Sequence, residues 1–273
     1  MNLDPRAVES LLGFWAEAGV DVCYAEAPID RTLPAIRSAT PRPSPGAAPS
    51  AQAPIAISTA VDPPMDLDEA RRAATAAGDL AALEAAITAY DGCALKRAGA
   101  KRCVFSRGHP DGPVMVIGEA PGADEDAQGA PFVGRAGKLL DLMLRAAGLE
   151  GRVFITNTVF WRPPGNRTPT PAEQMVCAPF LERAIALVRP RALLLVGGAS
   201  TKAMLNQSEG ILTLRGRWFE WRSPDGDLEI PALPTLHPAF LLRQPAAKKK
   251  AWQDLLTLVE RVDRPDRPVS PAD

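Results

Sequence analysis

The stretch "VMVIGEAPGADEDAQGAPFVGRAGKLLDLMLRAAGL" (residues 114–149) changes its periodicity twice. It opens on a short apolar run closed by Gly118, the pattern of a central strand covered on both faces. An acidic turn follows, and the segment "AGKLLDLMLRAAGL" then reads as a helix. The same succession recurs downstream. A strand at "RVFITN" (152–157) leads to a helix over 170–188. A strand at "ALLLVGG" (192–198) leads to a short helix from Ser200. The aromatic segment "RGRWFEW" (215–221) then connects to the strand "IPALPTLHP" (230–238) and a final helix over 246–262. Two helices, "DLDEARRAATAAG" (66–78) and "DLAALEAAITAY" (79–90), come first. Strands alternating with helices predict an α/β fold, a parallel sheet with helices on both faces. In such a sheet ligands sit beyond the carboxyl ends of the strands, which directs attention to the residues after Ile117, Ile155, Val196 and Leu236.

Upstream of this core, residues 5–19 read as an amphipathic helix with Val8, Leu11, Leu12, Phe14 and Trp15 on one side. Residues 38–65 hold seven prolines and almost no large apolar side chain, the composition of an extended linker. The expected organisation is a helical segment at 1–37, the linker at 38–65, a main domain at 66–265 and a disordered tail at 266–273. The opening residues carry early acids and no basic n-region, so no signal peptide is expected. No apolar run reaches the length of a membrane span. Four cysteines in 273 residues do not form a disulfide framework and suit reduced thiols in the cytoplasm. The net charge of −1, taken alone, argues against an obligate nucleic-acid binder. Yet "LKRAGAKRCVFSR" and "HPAFLLRQPAAKKK" contain no acid, so local basic patches fit a nearly neutral chain.

The strand ends carry the chemistry. After the first strand comes "GEAPGADEDAQGAPFVGRAGK". A phosphate-binding loop is excluded, because Phe132 and Leu139 stand where such a loop needs Gly and Ser or Thr. The acids Glu119, Asp124, Glu125 and Asp126 would also repel a phosphate. One reading is a turn with solvated acids. The other is a tight turn that brings backbone to a ligand, with Glu119 able to orient or activate water. Asn157 ends the second strand, and an Asn there commonly caps nearby backbone. His237, one of two histidines, follows the last strand and suits a donor to a developing anion, whereas His109 lies in an earlier loop and is read as incidental. A carboxylate, an amide and an imidazole thus converge at one end of one sheet, beside a Phe132 expected to be exposed.

The segments "GEAPGADEDAQGAPFVGRAGKLLD", "ITNTVFWRPPGNRTPTPAE" and "HPAFLLRQP" resemble the three signature regions of the uracil-DNA glycosylase superfamily, and among its branches family 4, the iron–sulfur type. The resemblance spans roughly residues 88–262. It implies a three-layer α/β/α sandwich around a four-stranded parallel sheet, and hydrolysis of the N-glycosidic bond of deoxyuridine by base flipping. Carried over residue by residue, Glu119 positions the attacking water and Phe132 stacks on the extruded base. Asn157 reads the Watson–Crick edge and His237 stabilises the departing uracil anion. Gly118 and Gly122 let backbone approach. Leu242 is the wedge candidate, and Arg162, Arg167, Arg243 and Lys248 are candidate DNA contacts. The implied partner is uracil-containing DNA, acted on by a cytoplasmic monomer, with the N-terminal helix available to a protein partner.

The resemblance also implies a 4Fe–4S cluster held by four cysteines. At the matching positions stand Tyr90, Cys93, Trp161 and Cys177, and two thiolates do not hold a cluster that needs four. Cys23 and Cys103 lie outside the pattern. The expectation is a variant without a cluster, Tyr90 and Trp161 filling the vacated volume. Two other functions remain open from sequence: a glycosylase for another deaminated or mismatched base, and a non-catalytic lesion-binding or polymerase-associated protein.

Overall fold

Three strands of five residues form the centre of the sheet because every one of their side chains is buried: β2 (Val114–Gly118), β3 (Val153–Asn157) and β4 (Ala192–Val196). Apolar runs of this kind belong between two helical layers. The computed structural model describes residues 67–264. The expected helix at 5–19, the linker at 38–65 and the tail at 266–273 lie outside the described residues.

Among the described residues the sheet has six strands, completed by β1 (Ser106–Gly108), β5 (Phe219–Arg222) and β6 (Glu229–Thr235), in the order β1-β3-β2-β4-β6-β5. Four are parallel, β3, β2, β4 and β6, and they match the four strands expected from sequence. The four-stranded expectation is nevertheless incomplete. β1 and β5 add antiparallel edges to β3 and β6. Neither has a buried apolar run: β1 is three residues long, and β5 buries only Trp221 fully. Short, polar edges of this sort also discourage further strand pairing.

The principal helices are α1 (Leu67–Ala76), α2 (Leu80–Ala89), α3 (Ala123–Gln128), α4 (Arg135–Ala146), α5 (Pro171–Val188), α6 (Pro238–Arg243) and α7 (Lys248–Asp263). Met115, Ile117, Phe154, Leu193 and Leu195 point to one face, against residues of α1, α2 and α5. Val114, Val116, Ile155, Leu194 and Val196 point to the other, against α4 and α7. The period-two alternation of the strands thus divides one apolar sequence between two cores. α5 begins where its sequence says. The Thr170 hydroxyl accepts from the Glu173 N–H at 3.2 Å, and the Glu173 carboxylate accepts from the Thr170 N–H at 2.8 Å, a reciprocal cap with Pro171 as the first helical residue. Because the central strands are parallel, their carboxyl ends share one edge, where Gly118 stands beside Asn157 and Val196 beside Thr235.

Candidate active site

Asn157 closes β3 with a side chain that is 1% exposed, and its Oδ1 has no hydrogen-bond partner. It therefore does not cap local backbone. A buried amide oxygen left unpaired costs about 1–3 kcal/mol, which makes it a natural acceptor for a ligand. Its neighbour in register, Gly118, explains how it reaches the cavity. A Cβ on Gly118 would lie 2.4 Å from Asn157 Oδ1 and 2.5 Å from the Phe132 ring, so only glycine lets both close in. The exit of β3 is tied to the exit of β2: Thr158 donates to the Gly118 carbonyl from its N–H and to the Glu119 carbonyl from its hydroxyl. These bonds hold the Glu119 backbone beside the amide.

Phe132 departs from expectation. It is 6% exposed rather than exposed, and its backbone is left-handed with φ 55°. For a bulky residue this conformation costs about 1–3 kcal/mol and persists only where its surroundings enforce it. Its ring centroid lies 5.8 Å from that of His237, the planes inclined by 31°. The enforcing groups include acids that sequence leaves as solvated. Glu125 on α3 accepts from the N–H groups of Gly122, Val133 and Gly134 at 3.0, 2.9 and 2.9 Å. Asp126 is 1% exposed and accepts from the N–H groups of Lys101 and Arg102. The acidic turn is thus an internal frame for backbone. Its only sequence signal was the density of carboxylates beside glycines, and sequence reasoning missed Glu125.

His237 is the N-cap of α6, where its Nδ1 accepts from the Ala239 N–H at 3.1 Å. Burial, assisted by Arg243 and opposed by Glu125, pushes its pKa down from the ordinary 6.5 to about 4. The ring is neutral at physiological pH. With Nδ1 used as an acceptor the proton sits on Nε2, which makes that atom a donor.

These groups border one cavity of about 580 Å³, whose lining includes Glu119, Phe132, Asn157, His237, Arg167 and Arg243. Gly122 also lines it, while Gly118 acts through the side chains it admits. The other expected contacts are distributed differently. Leu242 is 39% exposed on α6, and Lys248 is exposed at the start of α7. Arg162 donates from Nε to Asn166 Oδ1 at 2.7 Å. The Arg167 guanidinium makes two bonds to the Glu173 carboxylate, at 2.8 and 2.6 Å, which fastens the loop 162–169 to the start of α5. His109 does not line the cavity.

On the other side of the sheet Tyr90, Cys93, Trp161 and Cys177 are all buried in one core. Tyr90 packs on Phe180 with centroids 5.4 Å apart, and Lys96 Nζ lies 5.6 Å from the Trp161 ring centroid. The hydrogen bond with Cys93, together with burial, holds the Cys177 thiol well above its ordinary range. Burial pushes Cys103 up to about 12. Among the described residues no group of three or more His, Cys, Asp or Glu is placed to hold a metal ion.

Comparison with known proteins bears on these features. The family model described as the uracil DNA glycosylase superfamily matches residues 105–256. A type-4 uracil-DNA glycosylase of Sulfurisphaera tokodaii is 39% identical over 170 residues, covering 60% of this chain and 76% of that protein. The type-4 uracil-DNA glycosylase of Pyrobaculum aerophilum is 38% identical over 182 residues, covering 65% and 91%. That of Thermotoga maritima is 39% identical over 142 residues, covering 51% and 71%.

The state of His237 is open to direct measurement. Titrated by NMR, its imidazole should stay neutral down to pH 5 and take up a proton only near pH 4. Between pH 6.5 and 4 the unfolded chain binds a proton that the folded chain refuses, so stability should fall as pH falls through that window. An inflection near 6.5 in the folded protein would contradict the neutral ring and the use of its Nδ1 as an acceptor.

Proposed function

The chain belongs to the uracil DNA glycosylase superfamily, on its family-4 branch, and from that premise we propose how its own residues hydrolyse the N-glycosidic bond of deoxyuridine in DNA. The observation that carries the proposal is the unpartnered Oδ1 of Asn157, buried at the wall of a cavity that also holds a neutral histidine and a carboxylate. Uracil presents an N3–H donor beside an O4 acceptor. One amide satisfies both, Oδ1 accepting from N3–H and Nδ2 donating to O4. Cytosine reverses that pattern and would bury two mismatched groups, at about 1–3 kcal/mol each.

A base within a duplex is out of reach of a recessed amide, so the nucleotide must leave the stack. Residues 66–265 form the catalytic domain in this reading. Leu242 wedges the gap, with Arg162, Arg243 and Lys248 as contacts to the DNA backbone. Arg167 contributes by holding the loop to Glu173. The extruded base stacks on Phe132. As the glycosidic bond lengthens, negative charge collects on the uracil ring and positive charge on the sugar. His237 Nε2–H donates to O2 of the departing anion, and its low pKa keeps it a hydrogen-bond donor that does not protonate the leaving group. The Glu119 carboxylate orients a water toward the anomeric carbon and favours the developing positive charge. The products are free uracil and an abasic site.

The cluster that the family implies does not fit the residues present. A phenol and an indole, Tyr90 and Trp161, stand at two of its four ligand positions, which leaves two buried thiols, Cys93 and Cys177, where four are needed. No step is therefore routed through it. The aromatic pair instead packs the core behind the loop that follows Asn157.

Three expectations follow. Incubation with an oligonucleotide carrying one uracil, followed by alkali, should give strand scission. Asn157→Asp should suppress it by at least about 100-fold, because O4 loses its donor and meets a carboxylate oxygen. No scission by the unmodified protein on single- or double-stranded DNA overturns the enzyme reading, and near-normal activity of the variant overturns the role of Asn157. The purified protein should also be colourless; stoichiometric iron and sulfide with broad visible absorbance would contradict the cluster-free reading.

A further inference from the structure

Phe132 holds a left-handed backbone that a bulky residue does not adopt unaided, and Glu125 grips only the amide side of its turn, through Val133 and Gly134. The carbonyl side is gripped by a residue far away in sequence. Arg107 stands on β1, in register with Ile155 of β3 and two residues short of Asn157's level in that strand. Its guanidinium donates from Nε to the Pro131 carbonyl at 2.7 Å and from Nη2 to the Phe132 carbonyl at 3.1 Å. The same Nη2 donates to Asp141 Oδ1 on α4 at 2.6 Å. α4 meets the turn closely as well: a Cβ on Gly137 would sit 1.7 Å from the Phe132 carbonyl oxygen. The two carbonyls are thus clasped between an arginine fork and a helix that carries glycine at the point of approach.

We propose that Arg107, anchored by Asp141, is a positioning residue for base capture. By fixing the Pro131 and Phe132 carbonyls it sets the angle at which the Phe132 ring faces the cavity. The planar guanidinium suits the task, since it supplies several donors in a fixed geometry to acceptors on neighbouring residues. It touches neither base nor sugar and acts through Phe132 alone. The edge strand β1 thereby gains a role: it links the strand that carries the base-reading amide to the turn that carries the stacking ring. This inference rests on the reading of Phe132 as the stacking platform.

The test is a double-mutant cycle on single-turnover uracil excision, with the full chain and at a temperature where circular dichroism shows every variant folded. Phe132→Leu removes the platform and should slow excision by about 10-fold or more, the range of a lost base–aromatic stack. Arg107→Met should lose most of that factor, and adding it to Phe132→Leu should cost nothing further, because both changes act on one ring. Asp141→Asn, which keeps Arg107 but frees its anchor, should give an intermediate loss and serves if Arg107→Met does not fold. Losses that multiply in the double variant would mark Arg107 as a general structural residue and overturn the proposal. A slow Phe132→Leu beside wild-type rates for both Arg107→Met and Asp141→Asn overturns it alone. Wild-type rates for Phe132→Leu overturn the stacking reading and this inference with it.

Discussion

The site depends on a single register: Gly118 beside Asn157 at the carboxyl edge of two parallel strands. The missing Cβ at 118 is what admits the Asn157 amide and the Phe132 ring to the same small space. The buried strands on either side leave that edge little freedom to adjust. The unpaired Oδ1 is the consequence. A fold that holds a polar atom without a partner in its interior gives up stability unless something else satisfies it, and in the function we propose the fitting group is the N3–H of an extruded base.

Around that register the chain spends its charges on backbone. Glu125 and Asp126 fix the loop after β2 by accepting from five N–H groups between them, and Arg107 fixes two carbonyls of the same loop. The result is a cavity whose recognition groups are set before a substrate arrives, the condition under which hydrogen bonds and dipoles act best on developing charge. His237 belongs to the same logic. Its Nδ1 is committed to the start of α6, so its other nitrogen can only donate.

Much of this was legible in sequence, and the limits are physical. The strands at 114–118, 153–157 and 192–196 could be read because burial on both faces demands unbroken apolar runs. The start of α5 could be read because Thr170, Pro171 and Glu173 form a local cap. Glu119, Asn157 and His237 could be placed because parallel strands end at a common edge. β1 and β5 were missed because edge strands need no such run. Phe132 was misread as exposed because its burial comes from Gly118 and His237, distant in the chain. The bonds of Arg107 to the Phe132 turn span 24 and 25 positions, and no local pattern announces them.

The central claim is that Asn157 Oδ1 recognises a hydrogen-bond donor at N3 of the base. It is tested most directly by inhibition with free bases, comparing uracil with 3-methyluracil, which differ at that one position. Uracil should inhibit excision at least about 10-fold more tightly, since the methylated base offers no donor and leaves the buried oxygen unpaired. Equal inhibition by the two would show that the amide does not read N3, and would contradict the account.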